Sequence, residues 1–328
     1  MNILITGGTG FIGSRMALKA LEAGHLVRIL GAENTPAEKC NRGLIESKGV
    51  EVCLGSVTQS ATVESVTKGI DVVFHLAAAQ HEANVPDTVF NDVNVGGTET
   101  ILEASLRAGV SRVIYGSTIG VYGALEGTID EESPLNPDNI YGRTKLEAER
   151  MVVSYANRLS VSAIRISETY GPGDRRLLKL FKAIDKEVFF IIGTGKNLHH
   201  LIYVDDLIRG FFLAAEAERA CGEVFVLAGP RPVSTREMAD IIADDLGKKV
   251  RRVRFPLFPF DWAASVMEAT LKPFGIQPPL HRRRMDFFKK SFELSADKAR
   301  RLLGFSAETE FPQGVGHTSQ WYRQEGLL

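Results

Sequence analysis

Cysteine is scarce in this 328-residue sequence: Cys40, Cys53 and Cys221 stand far apart, with no Cys-x-x-Cys pair. Three scattered thiols build neither a disulfide framework nor a zinc site, so no metal is expected. They fit a reducing, cytoplasmic compartment and read as ordinary buried thiols. A charge excess is lacking too. With 39 basic and 40 acidic residues the formal net charge is −1, which gives no electrostatic reason to expect nucleic acid or an anionic membrane as a partner. The N-terminal Met-Asn-Ile-Leu-Ile-Thr-Gly lacks the charged and apolar regions of a signal peptide. The most apolar later stretch, Phe255 to Ile276, is broken by Asp261, Glu268, Lys272 and three prolines. That makes it a poor membrane span, and it reads instead as an amphipathic lid or core helix.

What is present is an alternation. Apolar runs at Ile3–Thr6, Leu26–Leu30, Val50–Leu54, Asp71–Leu76, Arg112–Tyr115 and Val161–Ile166 read as strands. Between them Ile12–Ala23, Val93–Ala108 and Tyr141–Asn157 carry helical spacing. Alternation at this rhythm predicts an α/β fold, a doubly wound parallel sheet with helices on both faces. The second half is less regular: a helix around Val204–Glu218, a strand at Glu223–Leu227, a helix at Thr235–Leu246 and a last helix from near Ser295. No Gly/Ser linker separates the halves.

Gly7, Gly10 and Gly13 lie in Thr-Gly-Gly-Thr-Gly-Phe-Ile-Gly-Ser, after the first strand and at the opening of the first helix, whose first turn holds Phe11 and Ile12. A dinucleotide needs such a turn. The first glycine allows the tight turn, the second lets backbone approach the pyrophosphate, and the third lets helix pack on strand. The helix N-terminus then offers N–H groups to the phosphates. At the end of the second strand stand Gly31, Ala32 and Glu33. A carboxylate there binds the ribose 2′-hydroxyl and an arginine a 2′-phosphate. Glu33 reaching back, with no basic residue from Gly31 to Glu38, favours NAD and leaves NADP open.

Tyr141 and Lys145 are four residues apart, hence one turn apart on one helix face. A phenol with a pKa of about 10 is a poor base at neutral pH. A fixed ammonium favours the phenolate and permits proton exchange with a hydroxyl or carbonyl. Upstream, Gly116-Ser117-Thr118 ends a strand where open α/β sheets bind ligands, and a hydroxyl there can hold a substrate oxygen.

These segments carry a resemblance. Gly7–Gly13, His75–Ala78, Asn94–Thr98, Ser117–Gly123, Tyr141–Lys145, Arg165, Tyr170–Gly173, Tyr203–Asp206 and Ser295–Gly304 occur in the order expected of the extended short-chain dehydrogenase/reductase family, which includes sugar-nucleotide epimerases and dehydratases. The resemblance implies a Rossmann domain over residues 1–165, with later contributions near 198–228, and a smaller, mainly substrate-binding domain over 166–328. It implies catalytic roles for Thr118, Tyr141, Lys145 and Asn94. Lys145 would also hold the nicotinamide ribose, Ala77 and Ala78 would lie along the nicotinamide, and Ser56 and Val57 would meet the adenine, although the family usually has an aspartate in place of Ser56. It also implies a homodimer through helices near Val89–Ala108 and Tyr141–Asn157.

Departures narrow the substrate. Where similar dehydratases place acids after the catalytic threonine, this chain has Ile119 and Gly120, so a 4,6-dehydratase is not expected. His199 stands in place of a diphosphate-binding arginine, and Glu168 in place of an asparagine near the sugar. An imidazole mostly neutral at pH 7 does not replace a bidentate guanidinium. Arg284, in the Arg282–Arg284 cluster, is a candidate for the diphosphate. Phe255, Phe258, Phe260 and Trp262 read as core packing. The expectation is an NAD(P)-dependent epimerase or reductase for a nucleotide sugar, with Ser117, Glu168, His199 and Arg284 near the substrate. The alternative is a hydroxysteroid-dehydrogenase-like or flavonoid-reductase-like enzyme for a lipophilic alcohol.

Overall fold

The computed structural model describes residues 1–80, 86–250, 254–271 and 282–328. Strands β1 (Asn2–Thr6), β2 (Leu26–Gly31), β3 (Glu51–Leu54), β4 (Val72–His75), β5 (Arg112–Thr118), β6 (Ser160–Ile166) and β7 (Val224–Leu227) form one sheet in the order β7-β6-β5-β4-β1-β2-β3. Every pairing in it is parallel. The strand order reverses between β1 and β4, and open sheets bind ligands in the crevice outside the carboxyl ends at such a reversal. The register sets Thr6 opposite His75, and His75 opposite Tyr115, at that edge.

The central strands are largely apolar because both faces are covered. Ile3, Ile5, Phe74 and Ile114 pack to one side with Phe211 of the helix Val204–Glu216. Leu4, Val73 and Val113 pack to the other, with Ile101 and Ala148 from helices Gly97–Ala108 and Ile140–Ser154. Local chemistry sets where helices begin. Thr35 and Glu38 form a reciprocal capping box before Pro36–Ser47, and Asn139 accepts the Gly142 N–H (2.9 Å) at the start of Ile140–Ser154. Beyond the sheet, Tyr170, Phe181, Tyr203, Met238 and Tyr322 form a separate apolar cluster.

Several expectations are corrected. The helix expected over Val93–Ala108 opens with a π-helical turn, Asn91–Gly96, before regular helix over Gly97–Ala108. After the expected helix near Ser295, found at Asp297–Leu303, comes a further helix, Phe311–Gln324. Its glycines hide it in the sequence, and packing explains one of them: a Cβ on Gly314 would sit 2.1 Å from the Tyr170 hydroxyl. Cys40 and Cys221 are exposed, not buried. Phe255, Phe258 and Trp262 are 40%, 78% and 64% exposed, so these three rings do not pack in a core. No described helix is long and apolar enough to cross a membrane. Among the described residues, no three His, Cys, Asp or Glu side chains are grouped to hold a metal ion.

Candidate active site

The glycine turn is built around backbone contacts. Gly7 has φ +69°, and a Cβ there would lie 2.9 Å from the Ala77 nitrogen. A Cβ on Gly13 would lie 2.3 Å from the Gly7 carbonyl oxygen. Gly10 caps the helix Phe11–Glu22 without a side chain, so the first-turn N–H groups of Phe11, Ile12 and Gly13 have no acceptor inside the helix. The cradle therefore fits a pyrophosphate, since bare backbone donors and a helix N-terminus converge where side chains are excluded.

A chain of hydrogen bonds fixes the neighbouring floor. The Ala77 N–H donates to Thr6 Oγ1 (3.1 Å), which lies 2.6 Å from His75 Nδ1. His75 Nε2 is 3.0 Å from Thr98 Oγ1, and that hydroxyl donates to the Asn94 carbonyl at 2.6 Å. Because the Thr98 proton is committed to Asn94, His75 donates from Nε2 and accepts at Nδ1. Burial, and secondarily Lys145, push the His75 pKa down to about 3, so the ring is neutral. Asn94 accepts from the Ala79 N–H (2.8 Å) and donates to Ala79 oxygen (3.3 Å) and Thr144 Oγ1 (3.0 Å). The side chain of Asn94 thus fastens the segment after β4 to the helix Ile140–Ser154. It does so from a π-helical turn, a local geometry common at functional sites.

Thr118 ends β5, and its hydroxyl accepts the Gly120 N–H (3.1 Å). The helix Ile140–Ser154 docks on this turn through Gly142, where a Cβ would be 2.7 Å from the Gly120 oxygen. Tyr141, next to Gly142 in this helix, is half-buried. Lys145 is 1% exposed, with Nζ 4.0 Å from the centre of the Tyr115 ring. Desolvation lowers its pKa to about 7, against the attraction of Glu149.

Glu149 continues the Tyr141–Lys145 face by one more turn. It was not picked out in the sequence, although its spacing of four from Lys145 was the available signal. Its carboxylate accepts from Arg165 (2.7 Å), and both side chains are under 5% exposed. It also accepts the Ser117 proton at 2.6 Å. Ser117, expected near the substrate, is thus buried and directed into this ion pair. Arg165 further donates to Tyr122 (2.8 Å) and to the Glu131 carbonyl (3.0 Å).

The remaining candidates divide. Glu33 is held by Arg42 at 2.9 Å, while the Thr9 side chain covers Gly31, whose Cβ would lie 2.6 Å from Thr9 Oγ1. Ser56 bonds Thr58 (2.8 Å) in a local turn, and Val57 is buried against Gly97. His199 and Glu168 are brought together, Nδ1 to carboxylate at 3.0 Å, with Thr235 (3.0 Å) and Asn197 (3.2 Å) on the other ring nitrogen. His199 is buried and Glu168 is half-buried, and the imidazole holds the Glu168 carboxyl below its usual range despite burial. The Arg284 side chain lies outside the described residues. Two acids of the Tyr203–Asp206 segment serve architecture. Asp205 takes a bidentate bond from Arg15 (2.7 and 2.8 Å), and Asp206 accepts the N–H groups of Glu308 (3.2 Å) and Thr309 (2.9 Å).

Residues 3–228 match the model of the NAD-dependent epimerase/dehydratase family. The chain belongs to that family. It is therefore an NAD-dependent enzyme on a Rossmann-type sheet. This family member is 30% identical to short-chain dehydrogenase/reductase family 42E member 1 of Bos taurus, over 99% of this chain and 88% of the relative. It is 29% identical to a dTDP-glucose 4,6-dehydratase of Streptomyces antibioticus, over 98% and 92% respectively. Among solved structures it is similar to MoeE5 in complex with UDP-glucuronic acid and NAD, with TM-score 0.78, 25% identity and coverage of 99% of this chain and 100% of that one.

Proposed function

We propose that this family member is an epimerase or dehydrogenase/reductase acting at a secondary alcohol or ketone of a sugar nucleotide. The observation that carries the reading is the docking of the helix that bears Tyr141 and Lys145, through Gly142, on the turn that follows Thr118 at the carboxyl end of β5. NAD, when bound, supplies a reversible hydride acceptor at the nicotinamide. Gly7, Gly10 and Gly13 would hold its pyrophosphate, and Ala77 and Ala78 would border the nicotinamide. Thr118 would align the substrate oxygen, Tyr141 would take its proton, and Lys145 would favour the phenolate. Ile119 is buried and carries no proton to exchange, which counts against a 4,6-dehydration in this reading. A homodimer through helices Gly97–Ala108 and Ile140–Ser154 belongs to the same proposal.

The test is thermal stability of the NAD-loaded protein with UDP, dTDP, GDP and CDP added separately. A ligand that binds only the folded state raises the midpoint. A rise with one nucleotide supports the reading and names the base for substrate screens. Tyr141→Phe is then expected to lose turnover by about a hundredfold or more while keeping NAD.

One specific observation favours the second reading, a lipophilic alcohol. At the position matched to a diphosphate-binding arginine, His199 is paired with the Glu168 carboxylate, so the pair offers little net positive charge to a diphosphate. A response to NAD and to no nucleotide decides for this alternative.

A further inference from the structure

Glu168 follows β6 at the carboxyl edge of the sheet. In the register of β5 and β6, Thr118 lies opposite Ile166, so these two share one face. Ser117 and Arg165, the pair before them, take the other face and meet at Glu149. Ser167 continues the ladder, its N–H donating to the Leu227 carbonyl at 3.3 Å. Glu168 therefore returns to the face of Thr118, two residues and about 7 Å farther on. One sugar ring can reach both.

The Glu168 carboxylate is held on one side and open on another. His199 Nδ1 lies 3.0 and 3.2 Å from its two oxygens, and among the described residues that imidazole is its one hydrogen-bond partner. The ring is itself fixed, by Thr235 on Nε2 (3.0 Å) and by Phe287, with ring centres 4.5 Å apart. Arg176, whose charge also acts on the carboxyl, is engaged by Asp174 (3.2 Å) and by the Thr169 carbonyl. Desolvation is the largest single influence on Glu168, yet a third of its side chain is accessible. A group both desolvated and accessible lines a deep crevice, not the outer surface. Attraction from His199 and Arg176 together outweighs the desolvation and keeps the carboxyl below its usual range. It faces the crevice ionised, and can only accept hydrogen bonds.

We propose that Glu168 makes the site selective for a neutral sugar over a sugar acid. Its free lone pairs accept a hydrogen bond from a hydroxyl of the ring whose reacting oxygen Thr118 aligns. A substrate carboxylate in that place has no proton to donate and meets a like charge, which turns the wrong partner away. An asparagine, which stands near the sugar in similar enzymes, donates as well as accepts and would admit either group. This inference rests on the sugar-nucleotide reading and names its substrate class.

The experiment is calorimetry of the NAD-loaded, full-length protein with paired glucose and glucuronic acid esters of UDP, dTDP, GDP and CDP. With the nucleotide that binds, the glucose ester is expected to bind about tenfold or more tightly than its partner. Glu168→Gln keeps the shape and removes the charge, and is expected to bring the two within about threefold by strengthening the glucuronic acid ester. Glu168→Ser serves as a second variant, and the rise in melting temperature with NAD confirms that each is folded. A loss of packing would weaken both esters alike and leave their ratio in place. Equal binding by the wild type, tighter binding of the glucuronic acid ester, or a ratio unmoved by both substitutions overturns the proposal and leaves the sugar-nucleotide reading standing. Binding of no ester by a protein that still responds to NAD overturns that reading, and the proposal with it.

Discussion

Lys145 places its ammonium 4.0 Å from the centre of the Tyr115 ring, and both side chains are buried. The ring's negative face compensates only part of the water the lysine has lost. The outcome is a pKa lowered to about 7 by desolvation. A group so placed changes charge near neutrality, one turn from Tyr141 on the same helix.

The first prediction is a pH dependence of stability. The unfolded chain holds a proton on Lys145 up to the ordinary value of 10.5, the folded protein only up to about 7. Between those values the unfolded state binds more protons, so stability rises with pH across that window. Denaturant midpoints of the cofactor-free protein and of Lys145→Met, followed against pH, isolate this contribution. The wild type is expected to gain on the variant from about pH 7 to 10.5 and to level off on either side. A flat difference would mean that Lys145 titrates normally.

Glu149→Gln leaves the Arg165 guanidinium buried without its counter-charge. The expected loss is about 3–5 kcal/mol of stability by urea unfolding, the cost of breaking a buried pair. Pairing it with Arg165→Met should recover part of that loss, because the two side chains act as a unit. Strict additivity would show that the 2.7 Å contact carries little coupling.

Gly13→Ala sets a methyl 2.3 Å from the Gly7 oxygen, so the turn must open. NAD affinity, followed by calorimetry, is expected to fall about tenfold or more, since helix and strand no longer close on the pyrophosphate. Unchanged affinity would remove the cradle from the cofactor site.

Glu33→Gln frees Arg42 from one of its two carboxylate partners, Glu33 and Glu46, each at 2.9 Å. An arginine near the end of the second strand accommodates a 2′-phosphate. Fluorescence titration should show the preference for NAD over NADP falling by about tenfold. If the ratio holds, Glu33 stands away from the adenosine ribose.

Much of the candidate site is local in the sequence. Gly7, Gly10 and Gly13 and the Tyr141–Lys145 pair are local in the chain, and each depends on a spacing that one turn or one helix face makes meaningful. The Glu168–His199 contact was hidden because 31 residues separate the partners. Arg42 beside Glu33 escaped for a related reason, as only the fold of the helix Pro36–Ser47 against the end of β2 brings it back.

By itself the sequence determined the parallel sheet, because alternating apolar runs and helical periods allow few other packings. It also determined the glycine turn and the helix face that carries Tyr141 and Lys145, both made of neighbours in the chain. The tertiary structure alone decided three further things. Ser117 turned inward to Glu149 while Thr118 remained at the strand end. His75 became the neutral centre of the link from Ala77 to Asn94. Phe258 and Trp262 faced outward. Each of these depends on which groups meet across the fold, where burial and hydrogen bonding, not spacing, set the orientation and charge of a side chain.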